Sequence, residues 1–336
     1  MTGPDMDDAD HDAPLPADAL AAAPKPTGGP SKDWKHRALY DNVIKTIATL
    51  PSEFESSIVI RDFRATDIFT LNSALGASIE DSAVVALNKL RDLWDPDGAY
   101  SVYRFERQSQ AFPDVRLVTD APGHERILLG IELKGWYVIA KEAKPTFRYN
   151  ITPGACSDQD LIVVFPWVLS DVVAGSPKLL RPFVGEARHA ALYRNYYWTT
   201  MRASQEGNGE IVPADHAEPY PAKADKCSDQ AKHDQGNNFG RIARSGLLDA
   251  FVEQAGREIV SGIPVKAWVK FFRVFRDGAG DVDEMTQQVE RAMATFTVDS
   301  ESDRAALVEA LGLVLDKLKA APITPASTPA ARRRRS

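Results

Sequence analysis

Cysteine is nearly absent: the 336 residues contain two, Cys156 and Cys227, 71 positions apart. So few thiols exclude a disulfide scaffold, and two alone cannot close a structural zinc site. The six histidines, His11, His36, His124, His189, His216 and His233, show no metal-ligand spacing. A Gly-rich phosphate loop, a G-x-S-x-G elbow and an H-E-x-x-H helix are all missing. Long hydrophobic runs are missing too. The longest, residues 161–169, is about half the length of a membrane span. The acidic N-terminus has no apolar stretch behind a basic cap, so no secretory signal is read. A soluble, cytoplasmic protein without membrane contact is expected.

What is present is ordinary globular composition, 44% hydrophobic and 26% charged. That excludes a wholly disordered, collagenous or coiled-coil chain. The net charge is -7. Six Asp against two Lys in the first 32 residues offset the four arginines at 332–335, so the stretch between them keeps the whole -7. It is no bulk polycation, and any contact with nucleic acid must come from local patches.

Residues 1–33 are rich in Ala, Pro, Asp and Gly, and are expected to be a disordered arm because they bury too little surface to offset ordering. Residues 321–336 repeat that composition and end in the Arg run, a solvated tail or a phosphate contact. Between them, helix periodicity covers 35–48, with a breaker at Pro51, and 71–94, where Ile79, Val84, Leu87, Leu90 and Trp94 fall on one face. Strands are expected over 100–107, 114–119 and 126–134, the last two joined by the turn at 121–125. Residues 136–150 read as strand-like and irregular, 153–159 as one short helix, and 160–167 as a buried strand. A helix over 186–198, a long polar loop over 204–238, and helices over 239–256, 265–276, 283–296 and 302–318 complete the reading. The fold class is therefore α/β: a helix, a three-stranded meander and a further strand within 34–203, then a mainly helical region over 239–320.

The chemistry concentrates in Pro113-Asp114 and Glu132-Leu133-Lys134. Residues two apart on a strand share a face, so Glu132 and Lys134 point the same way. Pairing of the two strands through the 121–125 turn brings Asp114 beside Glu132. Two adjacent carboxylates repel unless a cation sits between them. Oxygen ligands favour Mg2+, with Mn2+ as a substitute. Lys134 is then placed to orient a water and to stabilise charge developing on a phosphate.

These strings, in that setting, resemble the PD-(D/E)xK phosphodiesterase superfamily, to which many restriction endonucleases belong. The resemblance covers residues 70–170. It implies a restriction-endonuclease-like core, a magnesium-dependent DNA endonuclease, and metal ligands at Asp114 and Glu132. A Glu on the preceding helix often joins the site in that family, and Glu80 in Gly76-Ala-Ser-Ile-Glu80 takes that place. The chain departs from the family after Lys134, where 136–150 does not read as the expected helix. Gln159 and Asp160 fit either a cap or a contact with base or metal.

Basic residues mark candidate DNA contacts. Lys266, Lys270 and Arg273 fall at i, i+4 and i+7 and form one basic face, which also fits a solvated or membrane-surface helix. Asn237, Asn238, Arg241 and Arg244 suit base edges and phosphates, or an Asn-rich helix start. The aromatic stretch 193–198 suits base stacking or core packing. The expected partner is double-stranded DNA, cut by a homodimer with a cognate DNA methyltransferase encoded nearby. The competing expectation is a non-catalytic DNA-binding or assembly subunit of a defence or repair complex.

Overall fold

The alternating and wholly apolar stretches of the middle of the chain pair into one mixed sheet. The structure is a computed structural model and describes residues 14–60, 71–140, 144–172, 174–203, 209–234 and 238–274. The strands are β1 (Arg104–Arg107), β2 (Val115–Val118), β3 (Ile127–Tyr137), β4 (Leu161–Leu169), β5 (Pro177–Leu179) and β6 (Phe183–Glu186). β1, β2 and β3 form an antiparallel meander, and β4 joins β3 in parallel. The far edge of β4 is shared, its first half by β6 and its second half by β5, both antiparallel. Pro166 sits where one partner gives way to the other, the place in a strand where a missing N–H costs least. All nine residues of β4 are buried, as an apolar run flanked on both faces requires.

Helices are α1 (Ala17–Ala22), α2 (Arg37–Glu53), α3 (Leu71–Lys89), α4 (Arg91–Trp94), α5 (Ala187–Met201), α6 (Asp249–Arg257) and α7 (Val265–Val274). Leu39, Val43, Ile47 and Leu50 of α2 repeat at helical spacing and are buried. Ile79, Val84 and Leu87 of α3 join the same core as Leu117, Leu129 and Leu133 of the meander. α3 lies close on β3: a Cβ added to Gly135 would stand 3.5 Å from the Cα of Gly76.

Several expectations need correction. α2 runs through Pro51 to Glu53, because a proline in the last turn removes only one ladder bond. β1 begins at Arg104, not 100: the Asp95 carboxylate accepts the Tyr100 N–H, and the Tyr103 N–H turns back to the Tyr100 carbonyl. β3 continues to Tyr137, and among the described residues of the link to β4 the helical element is a 3-10 turn at Pro153–Ala155. The helix expected from 239 starts at Asp249, since Gly240 and Gly246 hold φ near +85° and +84° and break the run. A short hairpin (β9 Ile259–Val260 and β10 Ile263–Pro264) separates α6 from α7, while β7 (Ile211–Val212) and β8 (Gln230–Ala231) pair across the polar loop. The helices expected over 283–296 and 302–318 and the Arg-ended tail lie outside the described residues.

The largest correction concerns the N-terminal arm, whose described residues, 14–33, pack against the body of the fold. Leu15 and Ala23 pack on Tyr193 and Tyr197 of α5. The Tyr196 hydroxyl donates to the Ala19 carbonyl at 2.8 Å, and His189 Nε2 meets the Pro24 carbonyl at 3.0 Å. The N–H groups of Thr27, Gly28 and Gly29 converge on the Glu186 carboxylate at 2.9, 2.7 and 2.9 Å. Such a nest of successive N–H groups binds an anion without needing apolar surface. Burial pushes Glu186 up, but these bonds outweigh it and hold the carboxyl below its usual value.

Candidate active site

Strand register assembles the site. Val115 pairs with Ile131 in the antiparallel β2–β3 ladder, so the next step sets Asp114 opposite Glu132. The Asp114 carbonyl accepts the Gln108 N–H at 2.6 Å, which holds its backbone against the end of β1. Its side chain turns to β3, where Oδ2 accepts the Leu133 N–H at 2.8 Å. Lys134 then closes the group: Nζ lies 2.6 Å from Glu132 Oε1 and 3.9 Å from Asp114 Oδ2. Asp114, Glu132 and Lys134 therefore meet, as their spacing predicts.

One ammonium faces two carboxylates, and the electrostatics reflect that imbalance. Burial, then the Glu132 charge, pushes the Asp114 carboxyl up to about 8, with Lys134 and the Leu133 N–H opposing. Burial alone would lower Lys134, but Glu132 and Asp114 outweigh it and hold the ammonium charged. Glu80 stands near enough to act on both charges, yet its Oε2 is held by Arg107 at 3.1 Å. Arg107 also reaches Asp81 at 3.2 Å. Among the described residues no three His, Cys, Asp or Glu side chains converge tightly enough to hold a metal.

No protein-family model matches the chain, and no curated protein matches it in sequence.

Asp114 and Glu132 open onto a cleft of about 420 Å³. Gln110, Ala111 and Phe112 also line it, together with Ile151 and, from the polar loop, Ala222, Lys223, Asp225, Lys226, Cys227, Ser228 and Gln230. That loop wall brings Lys223, Asp225, Lys226 and Cys227 to the cleft, and of these the sequence pointed only to Cys227, as one of two cysteines. The available signal was two lysines three apart in a polar stretch without the apolar periodicity of a strand or helix, a pattern too common to mark a site.

Asp160 is a fastener rather than a ligand. Oδ1 accepts the Gly130 N–H at 2.7 Å and the Tyr220 hydroxyl at 3.1 Å, while Oδ2 accepts the Ser157 N–H at 2.8 Å. Burial lifts its carboxyl to about 6, against those three donors. Gln159 Nε2 donates to the Tyr220 hydroxyl at 3.3 Å, so both residues serve the loop wall.

The remaining candidates lie elsewhere. Arg244 bonds the Asn238 side-chain oxygen. With Arg241, Trp198 and Arg202 these two line a separate cavity of about 20 Å³, room for about one water. Tyr193, Tyr197 and Trp198 are buried, so the aromatic stretch is core and not a stacking platform. On α7, Ala267, Trp268, Val269 and Phe271 are buried, Lys270 is half-buried and Lys266 is exposed. None of Asn238, Arg241, Arg244, Lys266 and Lys270 lines the acidic cleft. Asn237 and the Arg273 side chain lie outside the described residues. Cys156 is buried and its thiol is pushed up to about 12 by that burial, which leaves it no nucleophile. Among the described residues no helix is long and apolar enough to cross a membrane.

Proposed function

We propose that the chain is a metal-dependent DNA endonuclease built on a PD-(D/E)xK core. The observation that carries this reading is the Lys134 ammonium, 2.6 Å from Glu132 and 3.9 Å from Asp114, the two carboxylates that line an open cleft. Further support comes from the order of elements: α3, the β1–β2–β3 meander, and β4 parallel to β3.

The donor set suits a magnesium-class cation. Such ions take one or two protein carboxylates and fill the other positions with water and phosphate oxygens. Asp114 and Glu132 would supply those two, and such an ion would offset the Glu132 charge that adds to burial in raising Asp114. Glu80 is not gathered with them while Arg107 holds it. When bound, the cation supplies a Lewis acid at the phosphoryl oxygen. Lys134, kept protonated by its two neighbours, donates to the attacking water and stabilises negative charge on the phosphate. The water oxygen joins phosphorus as the P–O3′ bond breaks, the proton that the attacking water loses passes to solvent and the O3′ oxygen takes one from solvent, leaving a 5′-phosphate and a 3′-hydroxyl. Leu133, whose N–H fixes Asp114, keeps that carboxylate aimed at the cleft. The proposal extends to restriction-type, sequence-specific cutting of double-stranded DNA in the cytoplasm, by a homodimer with a partner methyltransferase.

The decisive assay is plasmid cleavage with magnesium or EDTA by the parent, Asp114→Ala and Lys134→Ala chains. The parent gives discrete magnesium-dependent fragments, and each variant loses about 10³-fold in rate. Variants that cut as well as the parent overturn the mechanism. The Arg107–Glu80 pair favours one other reading, a non-catalytic DNA-binding or assembly subunit on the same fold. That protein would leave plasmid intact in every lane and bind DNA equally with and without magnesium.

A further inference from the structure

The loop wall of the cleft is pinned on both sides of its lysines. Ahead of them, Arg116 on β2 donates to the Pro221 carbonyl at 2.9 Å, and Tyr220 is bonded to Asp160. Behind them, the Cys227 carbonyl accepts the Thr152 N–H at 2.8 Å, and the Asp229 N–H donates to the Asn150 carbonyl at 2.8 Å. Asp229 is further held by Arg194 at 2.7 Å. The turn between is tied by the Asp225 carboxylate, which accepts the Ala222 N–H at 2.7 Å. A polar loop with this many anchors holds its side chains in a fixed relation to the strands.

Lys223 and Lys226 stand on that fixed turn, exposed, and both line the cleft whose floor is Asp114 and Glu132. Among the described residues neither ammonium has an ion-pair or side-chain hydrogen-bond partner, whereas Lys134 and Lys232 are both paired. Three positions span at most about 10 Å of chain, within the reach of two neighbouring phosphates on one strand. We propose that Lys223 and Lys226 grip the phosphodiester backbone beside the phosphate presented to Asp114 and Glu132. They are positioning residues, and the assignment rests on the nuclease reading of that site. The ligand chemistry is a run of phosphodiesters, from either a duplex or a single strand.

The test separates binding from cleavage by using the full chain with calcium in place of magnesium. Affinity for a labelled oligonucleotide, as duplex and as single strand, is followed between about 50 and 200 mM salt, the range over which such contacts show. Each phosphate contact adds about 0.9 to the log–log salt slope on duplex and about 0.7 on a single strand. The Lys223→Ala/Lys226→Ala chain is expected to lose about 1.8 or about 1.4 from that slope, whichever strand form is the substrate. Lys223→Arg/Lys226→Arg keeps the parent slope, and unchanged thermal melting shows that the wall is intact. An unchanged slope in the alanine chain overturns the grip, and so does a parent that binds neither form. If the slope falls but magnesium never yields cleavage by the parent, the grip stands and the nuclease reading fails.

Discussion

Two charged clusters lie close in the fold and are built to opposite rules. Arg194 and Asp229 are both about 2% exposed and pair at 2.7 Å. Every polar face of that pair is used. Arg194 also donates to the Tyr149 and Ile151 carbonyls and to Asn195, while Asp229 also accepts from Ala214 and Asn195. Asp114, Glu132 and Lys134 instead bring two negative charges to one positive and leave the group open on a cleft. The first cluster fastens α5 to the loop wall. The second is held under repulsion by the strands around it, the arrangement that the proposed cation site calls for and a structural clasp avoids.

Removing one partner should therefore have opposite signs in the two places. Arg194→Ala leaves Asp229 buried without its counter-charge and is expected to cost about 3–5 kcal/mol in denaturant unfolding. A loss below about 1 kcal/mol, the scale of an exposed pair, would erase the distinction.

Asp114→Asn is expected to do the reverse. The Asp114 carboxyl moves from its ordinary 3.8 to about 8, so between those values the folded chain holds a proton that the unfolded chain has released. Parent stability then falls as pH rises through that window. In EDTA at pH 8 the Asn variant should be more stable than the parent by about 1–2 kcal/mol, with the two converging near pH 4. Melting curves across pH read this directly, and a variant less stable at pH 8 would show that the cluster is a clasp after all.

The smallest effect belongs to a third charged group, also fully hydrogen-bonded but nearer the surface. Glu186→Gln keeps the shape and removes the charge that faces Thr27, Gly28 and Gly29. A loss of about 0.5–1.5 kcal/mol is expected, confined to the arm. Amide exchange at those three residues should quicken by up to about tenfold while β3 and β4 keep the parent rate.

The parts of this fold legible in the sequence are those whose signal is local. The period-two spacing of Glu132 and Lys134, the apolar run that becomes β4, and the buried face of α3 all follow from short-range pattern. The arm was not legible, because its order comes from three N–H groups meeting a carboxylate more than 150 positions away. The cleft wall was not legible for the same reason: Lys223 and Lys226 reach the site only through anchors at Arg116, Asp160 and Arg194. The stretch 239–248 carries apolar residues at helical intervals, yet Gly240 packs where any Cβ would fall 1.5 Å from Asn150 Oδ1.

Gly130 faces a similar squeeze with wider consequences. A Cβ there would stand 2.3 Å from Pro113 Cγ and 2.8 Å from Asp160 Oδ1. One hydrogen atom in place of a methyl group thus lets β3 touch both the residue ahead of Asp114 and the carboxylate that bolts down Tyr220. The floor and the wall of the cleft meet at this point as well as at the Arg116–Pro221 bond. A change that loosens the wall is transmitted to the aim of Asp114, and the two surfaces behave as the jaws of one vice rather than as a base and a separate lid.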